Sequence, residues 1–473
     1  MRKEHDALGE LVLPDEVYYG VQTQRAMDNF KVSGYTTNDL PEMVRSLAAI
    51  KKAAALANRT IGVLESDKAD TIVKVCDEIM NSQFADQFPV DLYQGGGGTS
   101  FNMNMNEVIA NRATEIITGS KGYNAVHPNT HVNLGQSTND VIPSAMKLTC
   151  FKEIGKCLEG LEYLEKSFAR QAEKHKNTVK LGRTCLQDAL PVTFGQEFSA
   201  YRDFVKRNRK YLESFKKECL ELTVGGTAVG TEMGTFPGYI ENVYKELSQI
   251  FGCTIKREEN FFDGMSNADF YVRLSAALKS IATGMSKIAT DLRIYSSGPR
   301  AGFCEIVLPA VQPGSSIMPG KVNPVIPEMV NQIGYQVCGN DMAITMAVEG
   351  GELDLNVWEM VISKNLFESF RLISRAALVF ASKCIDGIIV NIDKCKNDAE
   401  SSIALTTVIA TINGYEAGSI VAKKAYEKNK SVKQVVLEEK ILTESEANEM
   451  LDVLDLTAPE KILKIFNAGT RKI

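Results

Sequence analysis

NADFYVRLSAALKSIATGMSKIATDLRIY, residues 267–295, is the stretch that decides the fold class. In it Leu274, Leu278, Ile281, Met285, Ile288 and Leu292 follow one another by four, three, four, three and four residues. An α-helix turns every ~3.6 residues, so this alternation keeps one apolar face aligned over many turns. The same rhythm recurs at Leu366, Phe370, Ile373, Ala377 and Phe380, and at Met43, Leu47, Ile50, Ala54 and Ala57. It returns at Ile154, Leu158 and Leu161, with Phe168 beyond. The pattern predicts a mainly α fold with a central bundle of long helices. A helix of ~30 residues is ~45 Å long, more than one compact domain buries, so the bundle is expected to be shared between subunits. A structural coiled coil would show the same seams, but the glycine-rich loops between them favour a globular assembly. Strand signal is weak, with short apolar runs such as Ile306 to Leu308 suited to small hairpins. The expected division is 1–138 (mixed, mostly helical), 139–395 (long-helix bundle) and 396–473 (small and helical).

Composition narrows the partners. The 473 residues carry 53 Lys+Arg against 59 Asp+Glu, a formal net charge of -6, with 44% apolar and 24% charged residues. That balance fits a folded globular chain and offers no basic stripe for nucleic acid or anionic lipid. No apolar run approaches the ~20 residues that span a bilayer, and MRKEHDALGELVLP at the start lacks the apolar core of a signal peptide. A cytoplasmic protein with neither nucleic-acid nor membrane partners is expected. The 10 cysteines fall singly, without a CxxC pair or a histidine at ligand spacing, so no metal site is expected and most read as buried reduced thiols. Only four histidines, His5, His127, His131 and His175, are present for imidazole chemistry.

Three donor-rich loops interrupt the helices: DLYQGGGGTSFNMN (91–104), HPNTHVNLGQSTND (127–140) and GPRAGFCEIVLPAVQPGSSIMPGKVNPVIPE (298–328). In GSSIMPGKVNP, residues 314–324, the glycines permit a tightly turned loop, Ser315 and Ser316 place hydroxyls at its tip, and Lys321 and Asn323 add a cation and an amide. This combination suits a small carboxylate, and it would let a serine act as a base if its alkoxide were stabilised by the lysine and backbone N–H groups. A surface glycine loop with a solvated lysine fits the spacing equally well. Thr99 and Ser100 follow glycines that permit close approach, and Ser137, Thr138 and Asn139 open a helical segment, where hydroxyls and free N–H groups favour an anion. Plain helix capping explains each loop singly; their convergence favours a site.

GSSIMPGKVNP resembles the signature of the aspartase/fumarase superfamily, and the resemblance runs along the chain: VYYGVQTQRA, DQFPVDLYQGGGGTSFNMNMNEVIANRA, HPNTHVNLGQSTND, KLGRTCLQDALPVTFGQEF, GGTAVGT, SSGPRAGFCEIVLP and ALTTVIATINGYEAGSIVAKKA. Ser137-Thr138-Asn139 and VNPVIPEMVNQ lean to its aspartase branch, whereas Gly320 and Gln312-Pro313 read more like a fumarase. The resemblance implies a homotetramer with a core of about twenty helices and active sites built by three subunits. It also implies a small dicarboxylate substrate and a reversible anti elimination giving fumarate, without an organic cofactor, through an aci-carboxylate intermediate. On that basis Ser315 is the base. Thr99, Ser137 and Thr138, with N–H groups of the 314–320 loop, hold the β-carboxylate; Thr184, Lys321 and Asn323 hold the α-carboxylate; Asn139 faces the leaving amine; and Ser100 and Ser316 line the site. A mobile 314–324 loop closes over the substrate.

The departures bear on the leaving group. Where the family reads Gly-Arg-Thr-His, this chain has Gly182, Arg183, Thr184 and Cys185, and Glu328 loses the histidine that is its family partner. A thiol is a weak donor and no cation near neutral pH. Either the histidine is dispensable and L-aspartate is the substrate, or Cys185 makes room for an N-substituted aspartate or another succinate derivative. Fumarate hydration and a non-catalytic structural tetramer are the remaining readings. Glu232, Gly234 and Cys304 are further departures. Mg²⁺ activation and a second carboxylate site near His127 and Asn129 are left undecided.

Overall fold

In the computed structural model, which describes residues 1–463, the chain is built mainly of α-helices. Its longest helices are Thr138–Lys174, Phe194–Ser214, Asp269–Tyr295, Val325–Glu349 and Glu359–Lys383. The seam read from residues 274–292 is buried throughout, as are Leu366, Phe370, Ile373, Ala377 and Phe380. Met43 to Ala57 belong to the shorter helix Pro41–Thr60, whose alanines pack without exposure.

Two compact units are discontinuous in sequence: 1–159, 210–282 and 334–374 form the first, and 160–209, 283–333 and 375–473 the second. Each of the five long helices contributes residues to both units. The boundaries at 138 and 395 divide the chain by sequence order; the spatial units divide it along the helices. Positions 464–473 of the expected C-terminal segment lie outside the described residues.

In the first unit, polar contacts register the helices. Ser275 donates to Asp341 at 2.8 Å, Asn340 to Ser369 at 3.1 Å and Ser374 to the Lys156 carbonyl at 3.2 Å. In the second, Phe168 packs on Phe198, Tyr201 and Phe380 with ring centroids 6.5, 5.6 and 6.4 Å apart. Asn331 bridges to the Ser286 carbonyl and to Thr290 at 2.8 and 3.0 Å. The second unit also holds a small helical cluster around Val408, Ile409, Val421, Val432 and Val436.

Strands are short but more numerous than the sequence suggests. Arg2–Asp6 pairs antiparallel with Gly9–Leu13, and Val179–Thr184 with Gln187–Thr193. Ile306–Val307 is a strand, yet it pairs with the distant Ile389–Val390 and forms no local hairpin. Two-residue strands leave too little alternation to be read, and a partner more than 80 residues away has no local signal.

Gly195 opens Phe194–Ser214 where that helix meets the end of Thr138–Lys174. A Cβ there would lie 2.5 Å from the Lys176 Cα and 2.8 Å from the Ala172 carbonyl oxygen. Gly195→Ala gains helix propensity of up to about 1 kcal/mol, yet it forces backbone apart. The expected outcome in urea unfolding is a net loss of about 1–3 kcal/mol; unchanged or higher stability would show that this contact relaxes freely.

Candidate active site

The 314–324 loop lies in the second unit and is closed by its own backbone. Gly314 N–H donates to the Lys321 carbonyl at 2.7 Å, and the Asn323 amide donates to the Gly314 carbonyl at 2.8 Å. A Cβ at Gly314 would come within 2.7 Å of Asn323 N and of Lys321 O, so only glycine fits this crossing. Gly320 turns with φ +83°. Inside the loop the Ser315 hydroxyl oxygen accepts from the N–H groups of Ile317 at 3.2 Å and Met318 at 3.0 Å. Two converging N–H groups favour the ionised form of the oxygen they meet. Ser316 and Lys321 are exposed, and Lys321 has no ion pair among the described residues. Asn323 spends one amide N–H on closing the loop, so its part in carboxylate binding is shared with a structural one.

Thr184 and Cys185 also lie in the second unit, at the tip of the 179–193 hairpin. Thr184 is paired with Gln187, leaving Cys185 and Leu186 as a two-residue turn at φ 52° and 59°. This is the left-handed pair of a tight hairpin turn, a conformation that Asn-Gly adopts with less strain. The hairpin is anchored by charge: Glu305, fully buried, takes Arg183 in a close ion pair and Lys180 at 3.3 Å, and Lys180 lies 3.5 Å from the Tyr295 ring centroid. Cys304, at φ 47°, donates its N–H to the Ser297 carbonyl and supports the turn into Glu305. Glu328 stands in the first turn of Val325–Glu349.

The other donors sit at helix starts in the first unit. Gly96, Gly97 and Gly98 run at φ 77°, 59° and 80° into the helix Thr99–Thr118, a path open to glycine alone without strain. Thr99 gives its hydroxyl proton to the Gly96 carbonyl at 2.7 Å, and Ser100 follows in the same turn. Gly98 packs where a Cβ would be 3.2 Å from Ile142. Ser137 precedes Thr138–Lys174, and its oxygen accepts from Asn139 N–H at 3.3 Å. Thr138 accepts from the Asn102 amide at 3.2 Å, and Asn139 donates its amide to the Ala228 carbonyl at 2.8 Å. That last bond turns the Asn139 carbonyl oxygen the other way, as an acceptor suited to an ammonium group.

Several residues were not singled out in the sequence. Asp140 is fully buried and accepts from the N–H groups of Ser137, Gly225 and Thr227, each at 3.0 Å, so QSTND and GGTAVGT are one structure. Burial pushes its carboxyl up to about 7 against those donors. Lys51 is buried with no exposure, and burial brings its amine down to about 7. It falls on the Leu47, Ala54 side of its helix, the one clue that could have separated it from Lys52, which reaches Asp77 at 2.6 Å. Glu359 lies beside Gly97 and is pushed up to about 7 by burial.

Glu232, at φ 62°, pairs with Arg257 at 3.2 Å, and Gly234 turns at φ 99° in the same loop. The His127 ring accepts from the N–H groups of Asn129 and Thr130, both at 3.2 Å, capping the π-helical turn Pro128–Val132. All ten cysteines are unpaired, six of them are buried, and Cys185 is exposed. Among the described residues, no group of three His, Cys, Asp or Glu could hold a metal ion, and no helix is long and apolar enough to cross a membrane.

Residues 9–339 match the family described as Lyase, and residues 405–458 that described as Fumarase C C-terminus. The chain is 43% identical over 460 residues to an aspartate ammonia-lyase of a Bacillus species, covering 97% of this chain and 98% of that one. Among solved structures it is similar to a fumarate lyase:delta crystallin from Brucella melitensis, with a TM-score of 0.94 and 44% identity over 97% of this chain and 100% of that one. A class II fumarase from Schistosoma mansoni gives a TM-score of 0.94 at 35% identity, covering 97% and 99%. With its signature loop, its helical fold and these relatives in agreement, the chain belongs to the aspartase/fumarase superfamily of lyases.

Proposed function

We propose that this protein is a carbon-nitrogen lyase that converts L-aspartate reversibly to fumarate and ammonia. The observation that carries the chemistry is the Ser315 oxygen held by two N–H groups of its own loop. As an alkoxide, Ser315 takes the proton from the carbon next to the β-carboxylate. The bonding pair moves into that carboxylate, giving the aci-carboxylate with its added charge. Return of the pair forms the C–C double bond and expels ammonia from the adjacent carbon; the ammonia leaves as ammonium once it acquires the proton held on Ser315.

Stabilising the aci-carboxylate is the largest electrostatic task, and preorganised donors meet it best. Ser137 and Thr138 support that role because each hydroxyl oxygen accepts one hydrogen bond from within the chain while its proton has no acceptor among the described residues. Thr99 joins them by rotating its proton away from Gly96. Thr184, Lys321 and Asn323 hold the α-carboxylate, Asn139 receives the amine, and Ser100, Ser316 and Glu328 line the site. The reaction so written needs no organic cofactor.

The same reading makes the protein a homotetramer in the cytoplasm. The helix Val325–Glu349 presents Tyr335, Met342 and Met346, each at least 60% exposed, along one apolar stripe. That is a face for further copies of the chain. Ten unpaired cysteines suit a reducing compartment. The donors of the first unit and the base loop of the second then serve sites contributed by different copies.

A second reading rests on Cys185, whose small thiol stands at an exposed hairpin tip where the family has a histidine: the enzyme would accept N-substituted aspartates. Purified protein is expected to release fumarate from L-aspartate, followed by its ultraviolet absorbance. Release only from L-malate would make it a fumarase, release only from N-substituted aspartates would favour the second reading, and no release from any succinate derivative would remove the lyase assignment. Ser315→Ala is expected to lower kcat by about a thousand-fold with the assembly intact; a near-normal rate would take Ser315 out of the role. Gly314→Ala is expected to cut turnover strongly with the assembly intact, and a normal rate would show that the loop crossing relaxes freely. Cys185→His is expected to raise aspartate turnover by up to about ten-fold if a lost polar partner slows the enzyme.

A further inference from the structure

Lys51 is a fully buried lysine in an alanine-rich helix, and the reaction written above gives it no task. Its ammonium meets two amide oxygens, Asn102 Oδ1 at 2.7 Å and Asn133 Oδ1 at 3.0 Å. An ammonium group has three donors and no acceptor. Either amide turned over would point an NH₂ at the ammonium and leave donors facing each other without water, so in its charged form the lysine sets which way both amides lie.

The consequence passes along the network. With Oδ1 of Asn102 committed to Lys51, its Nδ2 faces Thr138 Oγ1 at 3.2 Å and Asn133 Oδ1 at 3.2 Å. Asn133 Oδ1 receives a third donor, Asn106 Nδ2 at 3.1 Å, while its own Nδ2 gives to the Gln136 carbonyl at 3.0 Å. Every amide in the chain of contacts therefore has one allowed orientation. At its end stands Thr138, 9% exposed, whose oxygen is occupied by an N–H and whose proton finds no acceptor among the described residues. Asp140, two residues on and likewise buried, favours the charged form of Lys51 against its desolvation.

We propose that Lys51 is a positioning residue: acting through the Asn102 amide, it fixes the Thr138 hydroxyl as a donor aimed at the substrate carboxylate. This rests on the reading of Thr138 as a carboxylate-holding residue. Lys52, its neighbour in sequence, pairs with Asp77 at the surface and has no such task.

The test is a double-mutant cycle on kcat/KM for L-aspartate, with Tm measured for each variant. Lys51→Met disturbs the core, so the decisive variant is Asn102→Asp, which keeps an acceptor for Lys51 and adds the opposite charge. It removes the N–H groups that meet Thr138 Oγ1 and Asn133 Oδ1, and the Thr138 hydroxyl then donates inward to the new carboxylate. Asn102→Asp is expected to fold and to lose about ten-fold in kcat/KM. Thr138→Val is expected to lose a similar factor, and the double variant no more than either alone. Losses that multiply in the double variant, or a normal kcat/KM in Asn102→Asp, would overturn the relay while leaving Thr138 at the substrate. A normal kcat/KM in Thr138→Val would instead overturn the reading beneath it. Lys52→Met is the control, expected to leave kcat/KM unchanged.

Discussion

A helix is stiff, and its first turn leaves N–H groups that nothing within it can satisfy. In this chain that one constraint organises the rest. The buried seams fix the long helices, and the donor-bearing segments are found where helices begin. Thr99 opens one helix, Thr138 another, and the Ser315 loop runs into a third at Val325. The Thr184 hairpin joins two of the longest, ending just before Phe194. Rigid rods thus carry hydroxyls and amides at defined places, and each loop needs only a few residues to finish the geometry.

Direction matters as much as place. A carboxylate that gains charge during the reaction is best met by donors whose orientation was set when the protein folded. The chain does this with groups that have no choice. Backbone N–H groups of Ile317 and Met318 can only donate, and they meet Ser315. Lys51 meets the amide oxygens of Asn102 and Asn133, and the Asn102 amide in turn reaches Thr138. The Ala228 carbonyl can only accept, and it turns Asn139 to present oxygen. Against the net charge of -6, Lys321 and neutral dipoles are the groups proposed to recruit a dicarboxylate.

The helices were legible because burial of one face forces a period of ~3.6 on the sequence, and Leu274 to Leu292 obey it. The loops were legible because glycine next to Ser, Thr and Asn has few uses in a helical protein, and Gly314 shows why: no other residue fits its crossing. The buried polar layer was not legible. Lys51 and Lys52 are the same letter twice, and only the fold tells which one loses water. Asp140 carries no signal of its own in the sequence, because two of its partners, Gly225 and Thr227, arrive from a distant loop. The pairing of Ile306 with Val390 was hidden for the same reason, since two residues carry no pattern and the partner is remote.

In the proposed tetramer the base loop of one copy works on substrate held by the hydroxyls of another. The most direct measurement mixes two variants that are each inactive, one carrying Ser315→Ala and the other Ser137→Ala with Thr138→Val, under conditions where subunits exchange. Mixed assemblies would contain some sites with every group intact, so fumarate formation is predicted to return to a level neither parent shows. Mixed assemblies that form and stay inactive would contradict the claim.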